Sequence, residues 1–180
     1  MKKTLLSLFI ALVATTAMSA QDTFKQGDVA MNFGVGFANA LTINSSTVVP
    51  PVSVSAEYGV IDNLVNGNNG SIGAGAYIGY TSYKIKDSNL SANYTILGAR
   101  GAYHHELHPK VDTYAGMIVG LAFSNGELLK DKDFGRSYSS TKLAYGVFVG
   151  ARYMFVENIG AFAELGWGVS AVNVGLALKF

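Results

Sequence analysis

The sequence predicts an all-β fold, an eight-stranded antiparallel up-and-down transmembrane β-barrel after a cleaved signal peptide, and three observations carry that expectation. Large apolar residues recur at every second position in eight separate segments, which is the period of a strand and not of a helix. The opposite face of most segments is mainly Gly, Ala or Ser with an occasional charge. Aromatic residues gather at the ends of the large apolar faces instead of scattering along them.

The opening "MKKTLLSLFIALVATTAMSA" places Lys2 and Lys3 before an apolar run from Leu5 to Val13, followed by small residues up to Ala20. That order is a secretory signal peptide. Residues 1–20 are therefore expected to be removed after Ala20, or after Ser19, leaving 21–180 as the barrel domain. Loss of the two lysines lowers the formal net charge of +1 by two, so no strongly basic surface remains to attract nucleic acid. The chain has no Cys, and an exported protein without disulfides must close by hydrogen bonding and packing. Beyond residue 20, Gly, Ser, Asn or a charge interrupts every apolar run before the roughly 18 residues a spanning helix needs. Spanning by helices is excluded.

The segments follow in order. In the first, Val29, Met31, Phe33, Val35 and Phe37 oppose Ala30, Asn32, Gly34 and Gly36. The second sets Val52, Val54, Ala56 and Tyr58 against Ser53, Ser55, Glu57 and Gly59. The third sets Ile72, Ala74, Ala76, Ile78 and Tyr80 against Gly73, Gly75, Tyr77 and Gly79. In the fourth, the least clean, Thr95, Leu97, Ala99, Gly101 and Tyr103 oppose Tyr94, Ile96, Gly98, Arg100 and Ala102, with the orientation fixed by the face able to hold Arg100. The fifth opposes Ala115, Met117, Val119, Leu121 and Phe123 to Tyr114, Gly116, Ile118 and Gly120. The sixth opposes Leu143, Tyr145, Val147, Val149, Ala151 and Tyr153 to Ala144, Gly146, Phe148, Gly150 and Arg152. The seventh pairs Ala161, Ala163, Leu165 and Trp167 with Phe162, Glu164, Gly166 and Gly168. The eighth, "SAVNVGLALKF", alternates Val172, Val174, Leu176, Leu178 and Phe180 with Ala171, Asn173, Gly175, Ala177 and Lys179.

A soluble barrel would turn the large apolar face inward. Eight strands close to an interior only just wide enough for side chains, and the face that suits so narrow a lumen is the small one. The large apolar face must then meet hydrocarbon. The aromatics agree, with Phe37, Tyr80, Phe123, Tyr145 and Trp167 at the outer ends and Tyr58, Tyr103, Tyr153, Phe155 and Phe180 at the inner ends. Two girdles of this kind mark the membrane interfaces. With both termini inside, the extracellular connections are expected at Asn39 to Val49, Lys84 to Leu90, Ser124 to Thr141 and Val169 to Ser170. The turns on the other side are expected at Ile61 to Gly70, His105 to Lys110 and Glu157 to Gly160.

The segments "SAEYGVIDN", "GSIGAGAYIGY", "LGARGAYHHEL", "DTYAGMIVGLAF", "FVGARYMF" and "AFAELGWGVSAVNVGLALKF" resemble the small outer-membrane β-barrel family, OmpA/OmpX-like barrels of the kind common in Bacteroidetes-type bacteria. The resemblance implies the outer membrane of a Gram-negative cell as location. It implies a terminal aromatic, Phe180, read as part of the signal to the barrel-assembly machinery, and no peptidoglycan-binding domain beyond that residue.

Four charges point to the lumen: Glu57, Arg100, Arg152 and Glu164. Two carboxylates and two guanidiniums balance, which predicts a hydrogen-bonded cluster that plugs the barrel; a selectivity ring is the alternative use of such charges. His104, His105 and His108 of "HHELH", with Glu106, carry metal-ligating chemistry, yet a strand puts His104 and His105 on opposite faces, so a polar interfacial turn is expected and no metal or cofactor. A hydrolase would need a nucleophile beside its base, and the histidines lie at the end away from the outer leaflet. No catalytic residue is expected. A monomer in outer-membrane lipid with a structural or surface-interaction role through the loop 124–141 is the leading expectation. A narrow pore or conduit for small or hydrophobic solutes, favoured by the room that lumen glycines leave, is the alternative, and a lipid-modifying enzyme comes last.

Overall fold

The computed structural model describes residues 24–37, 45–64, 70–85, 91–128 and 136–180; the expected signal peptide lies outside them. The described strands are β1 (Val29–Phe37), β2 (Ser45–Ile61), β3 (Gly70–Ile85), β4 (Ser91–His108), β5 (Val111–Leu128), β6 (Arg136–Val156), β7 (Ile159–Gly166) and β8 (Val172–Lys179). Each pairs antiparallel with its sequence neighbours, and β1 pairs with β8 from Ala30↔Lys179 to Phe37↔Val172, so the sheet closes into an eight-stranded barrel. Closure satisfies the backbone of the two strands that would otherwise be edges, a requirement in hydrocarbon.

The period-two pattern sorts the side chains as the sequence predicts. Val35, Ile78, Leu97, Met117, Val149 and Leu176 are exposed on the outside, while Asn32, Ser55, Glu57, Arg100, Phe148 and Ala177 are buried within. An apolar exterior around a polar and aromatic interior is stable only in lipid.

The wall is uneven in height. β1, β7 and β8 have 9, 8 and 8 residues, close to the roughly 9–11 that a tilted spanning strand requires. β2 to β6 run to 16–21 residues, so five adjacent strands project beyond the other three at the end away from the termini. The expected connection Ser124 to Thr141 is largely strand, because the β5–β6 ladder continues from Ser124↔Ser140 to Leu128↔Arg136; residues 129–135 lie outside the described residues. Ser, Thr and Asn in this stretch do not alternate in hydrophobicity, so the membrane signature ends while the ladder goes on. β2 likewise starts well before Val52. Its register shifts between Val49 and Val52, as Pro50 and Pro51, which lack a donor, require. At the other end β4 runs to His108, and Pro109 and Lys110 alone make the turn.

Candidate functional site in the lumen

The structure brings the four lumen charges together halfway along the closed part of the barrel. Arg100 donates from Nε to Glu57 Oε1 at 2.7 Å and from Nη2 to Glu164 Oε1 at 2.6 Å. Arg152 donates from Nη2 to Glu57 Oε2 at 3.0 Å. Local sequence makes this reach possible. Gly75 is the register partner of both Glu57 and Arg100, so the ion pair passes over a strand that puts no side chain in its way. Gly150 serves Tyr114 in the same manner, since a Cβ there would run into the Tyr114 ring and the Glu164 stem.

Four further side chains complete the network. Asp112 accepts from Arg152 Nη1 at 2.8 Å and lies 2.9 Å from His104 Nδ1, and His104 Nε2 is 3.7 Å from Glu57 Oε2. Asn32 accepts from Arg152 Nε at 3.1 Å and donates to Glu164 at 3.3 Å, while the Tyr114 hydroxyl donates to Glu164 at 2.9 Å. Strands β1, β2, β4, β5, β6 and β7 thus each supply at least one member. All are buried, and charge-assisted bonds of this kind offset the desolvation of the ions. The guanidiniums also lie over aromatic faces, Arg100 at 3.7 Å from the Phe148 centroid and Arg152 at 4.7 Å from that of Tyr114.

The alternation pattern alone indicates Asn32 and Tyr114 as lumen residues. Asp112 and His104 escape it because the fourth and fifth segments are read only to Tyr103 and from Tyr114, on either side of the turn expected at 105–110, and the longer β4–β5 hairpin turns both inward. His105 stacks beside Tyr103 on the outer face at 6.5 Å, and His108 accepts from the Lys110 amide at 3.3 Å. The three histidines do not converge, and no group of metal-ligating side chains forms among the described residues.

Two layers flank the network. Toward the termini, Phe24 folds under the barrel, its ring 4.1 Å from that of His104 and its carbonyl accepting from Ser71 at 3.0 Å. Nothing in the sequence pattern signals this, because Phe24 precedes the first strand. Toward the far end, Tyr77, Ile118, Phe148 and Val169 pack as an apolar layer. Several lumen glycines make room for larger side chains: a Cβ at Gly34 would meet the Asn173 amide, at Gly79 the Tyr77 hydroxyl, and at Gly116 the Phe148 ring. They are the recesses into which larger side chains fit. Phe180 closes the seam, exchanging two backbone hydrogen bonds of 2.9 Å with Val29.

A closed eight-stranded barrel with an apolar exterior, aromatic girdles and a side-chain-filled lumen is an outer-membrane β-barrel. Residues 51–173, more than half of the chain, match the Opacity family porin protein. The chain belongs to that family, and its location is the bacterial outer membrane. No curated protein matches it in sequence. Among solved structures it is similar to Ail, the attachment invasion locus protein of Yersinia pestis (TM-score 0.53, 11% identity, 86% of this chain and 99% of that one). It is also similar to the N-terminal β-barrel domain of Pseudomonas aeruginosa OprF (TM-score 0.50, 18% identity, 87% and 100%) and to a chain from the de novo design of transmembrane β-barrels (TM-score 0.50, 16%, 87% and 98%). At these identities the likeness is one of fold.

Proposed function

We propose that the protein is a non-conducting barrel with a structural and surface-interaction role, acting through the part of β2 to β6 that projects from the membrane. The observation that supports this most is the network across the lumen, in which Arg100 and Arg152 link carboxylates from β2, β5 and β7. A selectivity ring needs charges that face water along an open path; these face one another. The end with the termini and the two-residue turns at 109–110 and 157–158 faces the periplasm, since periplasmic turns are the short ones. The barrel works as a monomer without catalysis, cofactor or metal. Phe180 serves as its assembly signal to the barrel-assembly machinery.

The β5–β6 hairpin, residues 124–141, supplies most of the surface contact. Replacing 125–139 with a short Gly/Ser turn leaves a heat-modifiable barrel in the outer membrane and abolishes attachment of cells that display it to surfaces that the parent binds. Unchanged attachment moves the contact to another part of the projecting wall.

A further inference from the structure

Past Phe148, toward the end away from the termini, the wall is no longer complete. β6 and β7 pair only from Phe148↔Gly166 to Val156↔Ile159, and the Trp167 amide adds one bond to the Val147 carbonyl at 2.8 Å. β6 continues to Arg136, and no described strand pairs with it there on the β7 side. A cavity of about 290 Å³ occupies this gap, near the lower end of the roughly 300–1,000 Å³ of small-molecule sites. Its inner wall comes from the lumen faces of Tyr77, Ile96 and Ile118. Its mouth is Leu143, Tyr145 and Trp167, which are 70%, 80% and 73% exposed on the outer face. The lining also holds Ser170, whose buried Oγ has no hydrogen-bond partner among the described residues. The apolar layer over Arg100 floors it, so the cavity ends blind.

We propose that this cavity binds one linear acyl chain entering sideways from the membrane. The mouth is built from residues that face hydrocarbon, so its occupant arrives from the bilayer and not along the barrel axis. The lining is mainly apolar and carries no charged side chain, which suits a tail and not an ion. Tyr145 and Trp167 lie in the outer aromatic girdle, the depth of lipid headgroups, where a chain can turn inward while its head stays at the interface. The site goes beyond the surface role, and only the choice of leaflet depends on the orientation given above.

The test is photocross-linking of the full mature barrel in phosphatidylcholine nanodiscs, with palmitic acid carrying a mid-chain diazirine as the probe. Cross-links are expected on Ile96 and Ile118, which lipid around the barrel does not touch, as well as on outward residues such as Leu97 and Met117. A Cβ on Gly168 would meet only the Tyr77 hydroxyl, at 3.5 Å, so Gly168→Leu is tolerated and fills the cavity. It should cut lumen cross-links by about tenfold, equivalent to about 1.4 kcal/mol of binding, and leave the outward ones unchanged. Ala144→Phe is the second filling variant, and heat-modifiable migration verifies that each has folded. Cross-links confined to the outward face of the parent would overturn the proposal, as would lumen cross-links that persist in both folded variants.

Discussion

The two halves of the lumen are built from the same strands and filled in opposite ways. In the half near the termini all eight strands pair around the full circle, and the interior holds Glu57, Arg100, Asp112, Arg152 and Glu164. In the other half the ring is interrupted between β6 and β7, and the interior holds Tyr77, Ile96 and Ile118 around a cavity. The difference shows what a wall does for its contents. Buried ions need partners on every side, and a complete ring of inward-facing positions supplies them. Where the ring is open to hydrocarbon, a charge would face lipid, and the side chains that line the space carry no charge.

The strongest way to break this contrast is to remove an ion from the closed half. Arg100→Ala leaves Glu57 and Glu164 each short of a donor and should cost about 3–5 kcal/mol. Glu164→Ala should also be costly, and the double variant should lose less than the sum because the two share one interaction. Urea unfolding of the three refolded variants in detergent measures this. Additive losses would mean that the residues do not act as a network.

A smaller effect sharpens the boundary between lipid and solvent. Val149 is exposed on the outer face beside the closed half, and Val149→Lys should cost about 2–4 kcal/mol near the bilayer midplane. Ser139, exposed on the projecting part of β6, should accept Lys for under about 0.5 kcal/mol. Equal urea midpoints for the two variants would contradict the assignment of faces.

The closed half was far more legible in sequence than the projecting one, and the reason is physical. Where a strand separates hydrocarbon from a narrow lumen, each residue is forced to one of two chemistries, so the faces of Ala115 to Phe123 or Leu143 to Tyr153 can be read directly. Where β5 and β6 leave the membrane, Ser124, Asn125, Ser139 and Ser140 meet water on both faces. The alternation disappears although the pairing Ser124↔Ser140 and Asn125↔Ser139 continues, which is why strand was expected to be loop. Glu57, Arg100, Arg152 and Glu164 stood out because charges at lumen positions are rare. Asp112 and His104 fell just outside the segments read beside the turn expected at 105–110, and Phe24 lies outside any periodic segment. The gap between β6 and β7 has no pattern of its own, since it follows from the unequal lengths of two adjacent strands.

The central claim, a lumen closed by its ion layer, is tested most directly by recording the purified parent protein in planar lipid bilayers. Arg100 and Arg152 each bridge two carboxylates, with Phe24 below and Phe148 above. The expected record is therefore a flat baseline with no regular unitary steps. Reproducible, ion-selective channels of constant amplitude in the parent would show an open path through the barrel and contradict the claim.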